Sequence, residues 1–537
     1  MLTGSIAPAG SQYIVGLKAV DCYTGDLLAE VQERAADKGA VLKVLDAAAL
    51  KLRSKLGESL SSVQKYNTPL SQSTTPSLEA LKAYSLGMKT AYAKGWTAAL
   101  PFYTRAVELD PNFAMAYLNL SILCQNLNET ERAKEYARKA YELRDNVSER
   151  ERFGIEANYY RSTTGELEKA AQTYELWQQN YPRDVAPHGN LGVVYLKLGN
   201  QEGFLKESRE AMRLEPSSWI AYSNLASAYV ILNQLDEAEE VYRQAEERKL
   251  VVDDMLGNKY SLTFLKGDRV QMAQLAAAAM GKPGVEDVLL ATQADTEGWY
   301  GRLKNAHTFT QRAADSAMHN NATETAASYR AAAAVREIGA GNRQRAHADA
   351  DAALKLSQGR AVLSVATLAL AQAGDRAGAE SLAAELNDKF PLDTVIQKYW
   401  LPTIRAALAL ERKDPNSAVE LLKATSPIEL GETDTAVNIF LAPVYVRGQA
   451  YLMLHNSKAA AAEFDKFIDH YGRVGNFPWG ALARLGLARA YALDAATDPA
   501  AREKARTAYQ NFLTLWKDAD PDIPIYKQAK AEYAKLK

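Results

Sequence analysis

A fifteen-residue stretch of this chain recurs 105 residues later with eight of its fifteen positions kept. The sequence AVELDPNFAMAYLNL, residues 106–120, returns as AMRLEPSSWIAYSNL, residues 211–225, with Ala, Leu, an acid, Pro, Ala, Tyr, Asn and Leu in the same places. The distance equals three units of 34 residues plus three, and such a fixed period marks a stacked repeat. We expect each unit to bury its apolar face against its neighbours in the array and to touch only those neighbours.

Successive 34-residue frames place the same residue types in the same positions of two predicted helices. A three-residue insertion in the stretch RDNVSERER accounts for the remainder of the distance. The frames begin at residues 80, 114, 151, 185 and 219. A small residue recurs where the two helices must approach closely, and Leu and Tyr on the same face fill the space between them. The small residues in this position are Gly87, Gly192 and Ala226.

A glycine or an asparagine marks the turn inside each predicted hairpin. These residues adopt a left-handed backbone readily and so end the first helix, while a proline after the second helix prevents its continuation. The turn residues of the first five hairpins are Gly95, Asn128, Gly165, Gly199 and Asn233. The pattern resembles the tetratricopeptide (TPR) repeat, in which each 34-residue unit is a helix–turn–helix.

The repeats weaken after residue 250 but continue almost to the end of the chain. Further candidate turns are at Gly267, Gly301, Gly341 and Gly374. We predict well-formed TPR repeats over 78–250, degenerate TPR-like repeats over 251–516 and a capping helix over 517–537. The predicted fold class is all-α, a right-handed superhelix of about eleven hairpins with a small N-terminal α/β fragment.

Residues 1–60 differ in pattern from the rest of the chain. Apolar residues alternate over 13–19, a turn follows at 24–26, and one apolar stripe runs along about 39–56. This pattern predicts a β-hairpin and one helix, which make a poor independent core. We expect these residues to be part of a larger α/β module, and the polar, proline-containing residues 61–77 to be a linker.

The composition of the chain excludes several classes of function. The 63 basic and 65 acidic residues balance, so nothing favours binding to nucleic acid. Cys22 and Cys124 are too few for a disulfide framework, and Cys124 falls where a small buried thiol is expected. No apolar run reaches the ~18 residues that span a bilayer, and the N-terminus lacks a signal-peptide pattern. We therefore expect a soluble, cytoplasmic chain that does not itself insert into a membrane.

No motif in the sequence predicts catalysis. The six histidines do not have the spacing of metal ligands. No Walker loop, Gly-x-Ser-x-Gly elbow or Gly-x-Gly-x-x-Gly segment is present. We expect His188 to pack within its hairpin, and we predict no catalytic, metal or cofactor site in this chain.

Four segments carry a more specific resemblance. They are LTGSIAPAGSQYIVGLKAVDCYTGDLLAEVQ, KLGESLSSVQKYNTPLSQSTTPSLEALKAYSLG, YELWQQNYPRD and FLTLWKDADPDIPIYKQAKAEYAKL. The chain resembles the region that follows the kinase domain in bacterial eukaryotic-like serine/threonine protein kinases with C-terminal TPR arrays. The resemblance implies that residues 1–60 belong to a TolB-like α/β module. Family members often carry a membrane helix before this region, so it also leaves a membrane-anchored parent protein open.

The kinase motifs of that family are absent from the chain, which affects the expected function. There is no Gly-rich loop, Val-Ala-Ile-Lys, His-Arg-Asp or Asp-Phe-Gly, so no catalytic residue can be transferred. Either the chain is a fragment of a longer kinase, which Met1 at a strand-like position favours, or the TolB-like/TPR region has been recruited alone. The leading hypothesis is a non-catalytic scaffold that binds a protein or peptide as the sensory or docking region of a signalling kinase. The alternatives are part of an active kinase whose catalytic domain lies upstream, and a scaffold that only oligomerises.

The resemblance to TPR repeats places a peptide site on the concave groove lined by the first helices. The sixth position of the frame faces this groove and holds asparagine in three hairpins, and an amide can donate to and accept from a peptide backbone. Two tyrosines could add stacking surface, and one lysine a charge for an acidic group. The predicted groove residues are Asn119, Asn190, Asn224, Tyr84, Tyr92 and Lys197. The alternative is that asparagine in this position bonds the neighbouring helix and serves only the fold.

Overall fold

The computed structural model of the protein describes residues 1–21, 24–59, 75–433 and 439–536. Within these residues the chain forms one three-stranded sheet and 27 helices. This confirms the predicted helical solenoid with a small N-terminal α/β fragment. No helix in the described ranges has both the length and the apolar character needed to cross a bilayer. Cys22 and residues 61–74 of the predicted linker lie outside the described residues.

The N-terminal module is an antiparallel sheet with one helix against one of its faces. The strands lie in the order β1–β2–β3 and are followed by α1. Their bounds are Leu2–Ala9 for β1, Gln12–Val20 for β2, Leu27–Ala35 for β3 and Val41–Lys55 for α1. Helix α1 packs on β2 and β3, which form the predicted hairpin. A buried cluster of Val15, Ala35 and Val41 contacts Leu78 and so joins the module to the first long helix.

Twelve helical hairpins follow and are numbered here in chain order. The first six pair α2 (Leu78–Lys94) with α3 (Trp96–Leu109), α4 (Ala114–Asn126) with α5 (Thr130–Glu142), α6 (Glu149–Tyr159) with α7 (Leu167–Asn180), α8 (Val185–Lys197) with α9 (Gln201–Leu214), α10 (Trp219–Ile231) with α11 (Leu235–Glu247), and α12 (Leu256–Lys266) with α13 (Arg269–Ala279).

The last six hairpins continue the array to the C-terminal helix. They pair α14 (Glu286–Trp299) with α15 (Leu303–His319), α16 (Thr323–Ala340) with α17 (Arg343–Leu356), α18 (Arg360–Ala373) with α19 (Arg376–Lys389), α20 (Leu401–Glu411) with α21 (Pro415–Leu422), α22 (Ala442–Met453) with α23 (Ser457–Asp469), and, after the single turn α24 (Tyr471–Val474), α25 (Trp479–Ala492) with α26 (Pro499–Leu515). The final helix is α27 (Pro524–Ala534).

The small residue of the repeat lies where the two helices of a hairpin touch. A Cβ atom built on Gly87 would lie 2.9 Å from the ring of Tyr103, and one built on Gly448 would lie 2.8 Å from the ring of Phe464. The aromatic ring of the second helix therefore fills the space in which a side chain would begin. The turns also follow the prediction, with positive φ at Gly95, Asn128, Gly165, Gly199 and Asn233.

Hairpins also contact other hairpins far along the chain. The turn of hairpin 2 meets the start of α16 in hairpin 8. There the Glu324 carboxylate accepts from the Glu131 N–H at 3.0 Å, and the Glu129 carboxylate accepts from the Thr325 N–H at 3.3 Å. The expectation that each unit packs only against its neighbours is therefore wrong. The array coils tightly enough that the chain returns onto a hairpin several places later.

The returning segments cap helices that have no cap of their own. The N-cap residues of α3, α5, α7 and α15 make no side-chain hydrogen bond to their own helix. The first N–H groups of a helix need an acceptor, and here a later part of the chain supplies it. The pairs are Trp96 N with Asp254 Oδ2 (2.7 Å), Glu131 N with Glu324 Oε2 (3.0 Å), Leu167 N with Thr394 Oγ1 (3.2 Å) and Lys304 N with Asp520 Oδ2 (2.9 Å).

The first helices of the later hairpins are enclosed by this coiling. In α16, 15 of the 18 residues are buried, and in α18, 12 of the 14. Both helices are rich in alanine, whose small side chain lets neighbouring helices approach closely on every face. These helices therefore leave little inner surface open, which distinguishes them from the first helix of hairpin 1.

Candidate functional site

Helix α2 leaves an apolar stripe open on the side that faces the other first helices. Tyr84, Met88 and Tyr92 are spaced by four residues and so lie along one face of the helix. Met88 is 39 % exposed and Tyr92 41 % exposed, whereas Tyr84 is half-buried with its ring centroid 4.9 Å from that of Phe113. The two tyrosines were predicted groove residues, and Met88 was missed although its spacing could have indicated it. These three residues are called the α2 stripe below.

Polar groups from hairpins 2, 3 and 4 lie beside the α2 stripe. The Asn119 side chain and the Tyr84 hydroxyl are hydrogen-bonded, and burial raises the pKa of Tyr84. Arg150, at the start of α6, donates from Nε to Asp184 Oδ2 at 2.6 Å. Trp177 Nε1 also donates to this Asp184 oxygen at 3.0 Å. The Asp184 charge is therefore satisfied within the protein, and the buried Tyr84 hydroxyl stays protonated and bonded to Asn119.

Glu215 carries the acidic charge at the end of the α2 stripe. Its carboxylate accepts a hydrogen bond from the Tyr92 hydroxyl, and burial raises its pKa. Among the described residues, no lysine or arginine forms an ion pair with Glu215. A carboxylate that is partly withdrawn from water without a cationic partner is stabilised by a positive charge placed beside it. This end of the surface therefore favours a basic group on a ligand.

Hairpin 5 bounds this inner surface. Trp219 Nε1 donates to the Ala91 carbonyl at 3.0 Å, and the Trp219 and Trp96 rings meet edge to face with centroids 5.9 Å apart. Hairpins 1 and 5 are thus in direct contact at the end of α2. The inner surface of the first five hairpins is short and bounded, so a ligand seated there would contact only a few side chains.

The other asparagines of the sixth position have different surroundings. Asn190 accepts from Arg161 Nη1 at 3.1 Å and donates to a carbonyl of its own helix at 2.9 Å. This is the contact with a neighbouring helix that the structural alternative describes. Asn224 is half-buried on α10. Asn258 holds the same position in hairpin 6, where it donates to Ser223 Oγ at 3.2 Å, and it was missed because the frame was not extended beyond hairpin 5.

Lys197 does not reach an open surface. The residue is 5 % exposed and lies at the end of α8. The segment after α21 covers it, because the Glu432 N–H donates to the Leu196 carbonyl at 3.1 Å. Gly431 packs against the Lys197 carbonyl too closely for any side chain to replace the glycine. Its burial removes Lys197 from the surface available to a ligand, and the expected positive charge for an acidic group is not there.

A cavity of about 530 Å³ lies between α7 and α9, next to His188. His188 Nδ1 is 2.6 Å from Glu207 Oε2, and Gln178 Nε2 lies 3.0 Å from the histidine and 2.8 Å from the carboxylate. The three side chains satisfy one another, so His188 packs between helices as expected. In the part of the chain that the structure describes, no three His, Cys, Asp or Glu side chains converge as a metal site requires.

Two segments of the chain match family models of the tetratricopeptide repeat. The matches cover residues 102–135 and 220–250. The first segment runs from the second helix of hairpin 1 through most of hairpin 2, and the second coincides with hairpin 5. TPR repeats are therefore present where the 34-residue frame is clearest. No curated protein matches the sequence significantly.

Solved structures of TPR proteins align with most of the chain at low identity. The crystal structure of yeast Tom70 shares 15 % identity at a TM-score of 0.33, covering 85 % of this chain and 95 % of that chain. The crystal structure of the P58(IPK) TPR domain shares 14 % identity at a TM-score of 0.21, and the alignment covers 72 % of this chain and 97 % of that chain. Neither similarity identifies a ligand for the inner surface.

Proposed function

We propose that the protein is a scaffold that binds an extended segment of another protein on the inner surface of hairpins 1–5. The observation that carries the proposal is the open α2 stripe, because the first helices of the later hairpins are enclosed. Exposed Met and Tyr side chains form adaptable contact surface for partners of varied shape. The Asn119 amide beside the stripe can bond main-chain groups of a peptide.

The chemistry of this surface favours a partner with an apolar side chain next to a basic one. The apolar side chain would pack against Met88 and Tyr92, and a lysine or arginine would lie beside Glu215. Pairing with this carboxylate would remove the cost of burying an uncompensated charge. An acidic partner is disfavoured, since Lys197 is buried and Arg150 is already paired with Asp184.

A random peptide library displayed on phage tests the proposal directly. Selected peptides should carry a lysine or arginine close to an apolar residue. Tyr92→Ala should weaken their binding at least tenfold, because it removes both stacking area and the hydrogen bond to Glu215. Glu215→Gln should weaken the binding of basic peptides only. Leu176→Ala, at an exposed position of α7 away from this surface, is the matched control and should leave binding unchanged.

The asparagines separate a binding role from a structural one. Asn119→Ala should weaken the binding of the selected peptides and also lower the melting temperature, because the hydroxyls of Tyr84 and Tyr103 both lose a hydrogen-bond partner. Asn190→Ala should lower the melting temperature without weakening peptide binding, because Arg161 Nη1 loses its acceptor. Asn224→Ala tests the third asparagine, which is half-buried on α10, by the same two measurements. If none of the three changes peptide binding, the amides do not contribute to the site.

We further propose, from the resemblance of the four sequence segments alone, that the scaffold is the sensory or docking region of a bacterial serine/threonine kinase. An in-frame kinase sequence directly upstream of the Met1 codon would support this parentage, and any other coding sequence there would oppose it. The chain itself should transfer no phosphoryl group, because it lacks a phosphate-cradling loop and the kinase metal-binding motifs. Labelled ATP, Mg²⁺ and a general protein substrate should give only background incorporation, and turnover above background would contradict this.

A further inference from the structure

Among the described residues, strand β1 is an open edge of the N-terminal sheet. All eight of its residues are exposed, because α1 covers only β2 and β3. In the β1–β2 register, Leu2 lies opposite Ala19 and Ile6 opposite Val15, and both partners are buried beneath α1. Leu2 and Ile6 therefore project from the same face as the module's core, yet they are 64 % and 46 % exposed. The apolar face of the sheet therefore extends onto β1, which α1 does not cover.

The free hydrogen-bonding groups of this edge can be assigned from the register. Met1 and Val20 exchange both backbone hydrogen bonds, at 2.8 and 2.6 Å. Hydrogen-bonded and non-hydrogen-bonded pairs alternate along an antiparallel ladder. Thr3 and Ser5 therefore bond to β2, while Leu2, Gly4 and Ile6 direct their N–H and C=O groups outward. Pro8, at the next outward position, has no N–H to donate, so it limits further pairing to Leu2–Ile6.

The two edges of the sheet differ in charge. Strand β3, at the other edge, carries Glu30, Glu33 and Arg34, whereas β1, with the sequence LTGSIAPA, carries no charge. Charged side chains are a common means by which edge strands avoid pairing with other chains. The β3 edge has this protection, and the β1 edge lacks it.

We propose that β1 pairs with β1 of a second copy of this chain. The five-residue segment Leu2–Ile6, Leu-Thr-Gly-Ser-Ile, reads alike in both directions by chemical type: apolar, hydroxyl, glycine, hydroxyl, apolar. In antiparallel pairing about Gly4, Leu2 lies opposite Ile6 of the second copy, and Thr3 opposite Ser5 of the second copy. No charge meets a like charge, and both kinds of cross-strand pair are favourable. The two-fold axis passes between the Gly4 residues, which makes the contact isologous.

This pairing completes the apolar face that α1 leaves open. The axis is perpendicular to the sheet, so the product is a six-stranded sheet with both α1 helices on one face. Leu2 and Ile6 of each copy then form a strip between the two helices. A contact of five residues per chain buries much less surface than the roughly 1,200 Å² that a stable interface buries. The dimer is therefore weak and depends on concentration.

Sedimentation of the full chain from about 1 to about 100 µM tests the proposal, since this range brackets a weak dimer. The mass should rise from the 58.9 kDa monomer towards twice that value. Ile6→Lys should keep the chain monomeric with unchanged helix content, because Ile6 is exposed and its substitution places a charge against Leu2 of the second copy. Leu28→Lys, an exposed position on β3 at the other edge, is the matched control and should dimerise like the wild type. A wild-type chain that stays monomeric, or an Ile6→Lys chain that dimerises as strongly, would overturn the proposal.

Cross-linking tests the register. Thr3→Cys and Ser5→Cys chains, each in a Cys22→Ser background, should form a disulfide when mixed under mild oxidation. Residues 3 and 5 of the two copies face each other as a non-hydrogen-bonded pair, whose Cβ atoms lie about 4.5–5.5 Å apart. Each chain alone should cross-link far less, since residue 3 does not face residue 3. Equal cross-linking of either chain alone, or none in the mixture, would overturn pairing about Gly4.

Discussion

Glu324 illustrates how strongly a single side chain depends on the coiling of the array. It stands at the start of α16, where an acidic residue is commonly solvated, yet it is 5 % exposed because the turn of hairpin 2 covers it. Burial is the main cause that raises the pKa of its carboxyl to about 7, and the nearby charges of Glu129 and Glu131 add to the rise. Hydrogen bonds from the Thr130 hydroxyl and the Glu131 N–H oppose it. A protonated carboxyl could donate to Thr130 Oγ1 and still accept from Glu131, so either form can hold the contact.

Glu324→Gln should therefore change how stability depends on pH. The pKa of Glu324 is about 7 in the folded protein, against an ordinary value of 4.5. Because the folded protein binds this proton more tightly, the free energy of unfolding of the wild type is highest below pH 4.5. It falls by on the order of 3 kcal/mol as the pH rises to about 7. Glutamine reproduces the hydrogen bonds of the protonated acid without the charge. Urea unfolding should show the variant to be more stable than the wild type at pH 8 and about equal to it at pH 4.5.

Glu131→Gln is the control for this prediction. Glu131 is exposed in the same turn and keeps its backbone hydrogen bond to Glu324 after the substitution. Its charge makes only a small contribution to the raised pKa of Glu324, so Glu131→Gln should gain much less stability at pH 8 than Glu324→Gln. A Glu324→Gln chain that gained nothing at pH 8 would show that the carboxylate is solvated or otherwise stabilised in the folded protein.

At the scale of the helix, the spacing within several hairpins is set by a glycine against an aromatic ring. Gly87 on α2 and Tyr103 on α3 touch in hairpin 1, and the same contact recurs between Gly448 and Phe464 in hairpin 11. Gly189 on α8 is different, because no atom lies within 4 Å of the position of a Cβ. Helical glycines in this chain therefore have opposite effects on stability, according to what faces them.

Substitution by alanine should separate these two kinds of glycine. Gly87→Ala forces the new methyl group against the Tyr103 ring and should destabilise the protein by about 1–3 kcal/mol. Gly189→Ala meets open space in a helix and should stabilise it by about 0.5–1 kcal/mol, since alanine loses less backbone entropy. Chemical denaturation of the two variants beside the wild type measures both changes. Equal stability of Gly87→Ala and Gly189→Ala would contradict the packing argument.

For the whole molecule, the sequence predicted what is local and missed what depends on coiling. The small residue, the turn residue and the ring of each hairpin lie within one 34-residue frame, so the hairpins and the two α2 tyrosines could be placed. The contact between Glu129 and Thr325 joins residues 196 apart, and its position depends on the summed rotation of all the hairpins between them. Lys197 was misplaced for the same reason, because the segment that buries it comes from far along the chain.

The long-range contacts should make unfolding cooperative. An array whose units touch only their neighbours can open in parts, whereas here the first three hairpins receive caps from later ones. Helix content by circular dichroism and tryptophan fluorescence should therefore change together in a single urea transition. The amides of α5 should be protected from hydrogen exchange as strongly as those of α16. Early, separate unfolding of hairpins 1–5 would show that the caps do not couple the two regions.

The caps supplied from a distance also limit how this protein can change over evolutionary time. Repeat arrays commonly gain or lose whole units, and in a linear array such a change leaves the other units undisturbed. Here one hairpin inserted between hairpins 2 and 8 would carry Glu324 past the turn that it caps, and two helix starts would lose their acceptors at once. Duplication and deletion are therefore costly inside this segment. Selection that preserves the capping residues therefore also preserves the number of hairpins between hairpins 2 and 8.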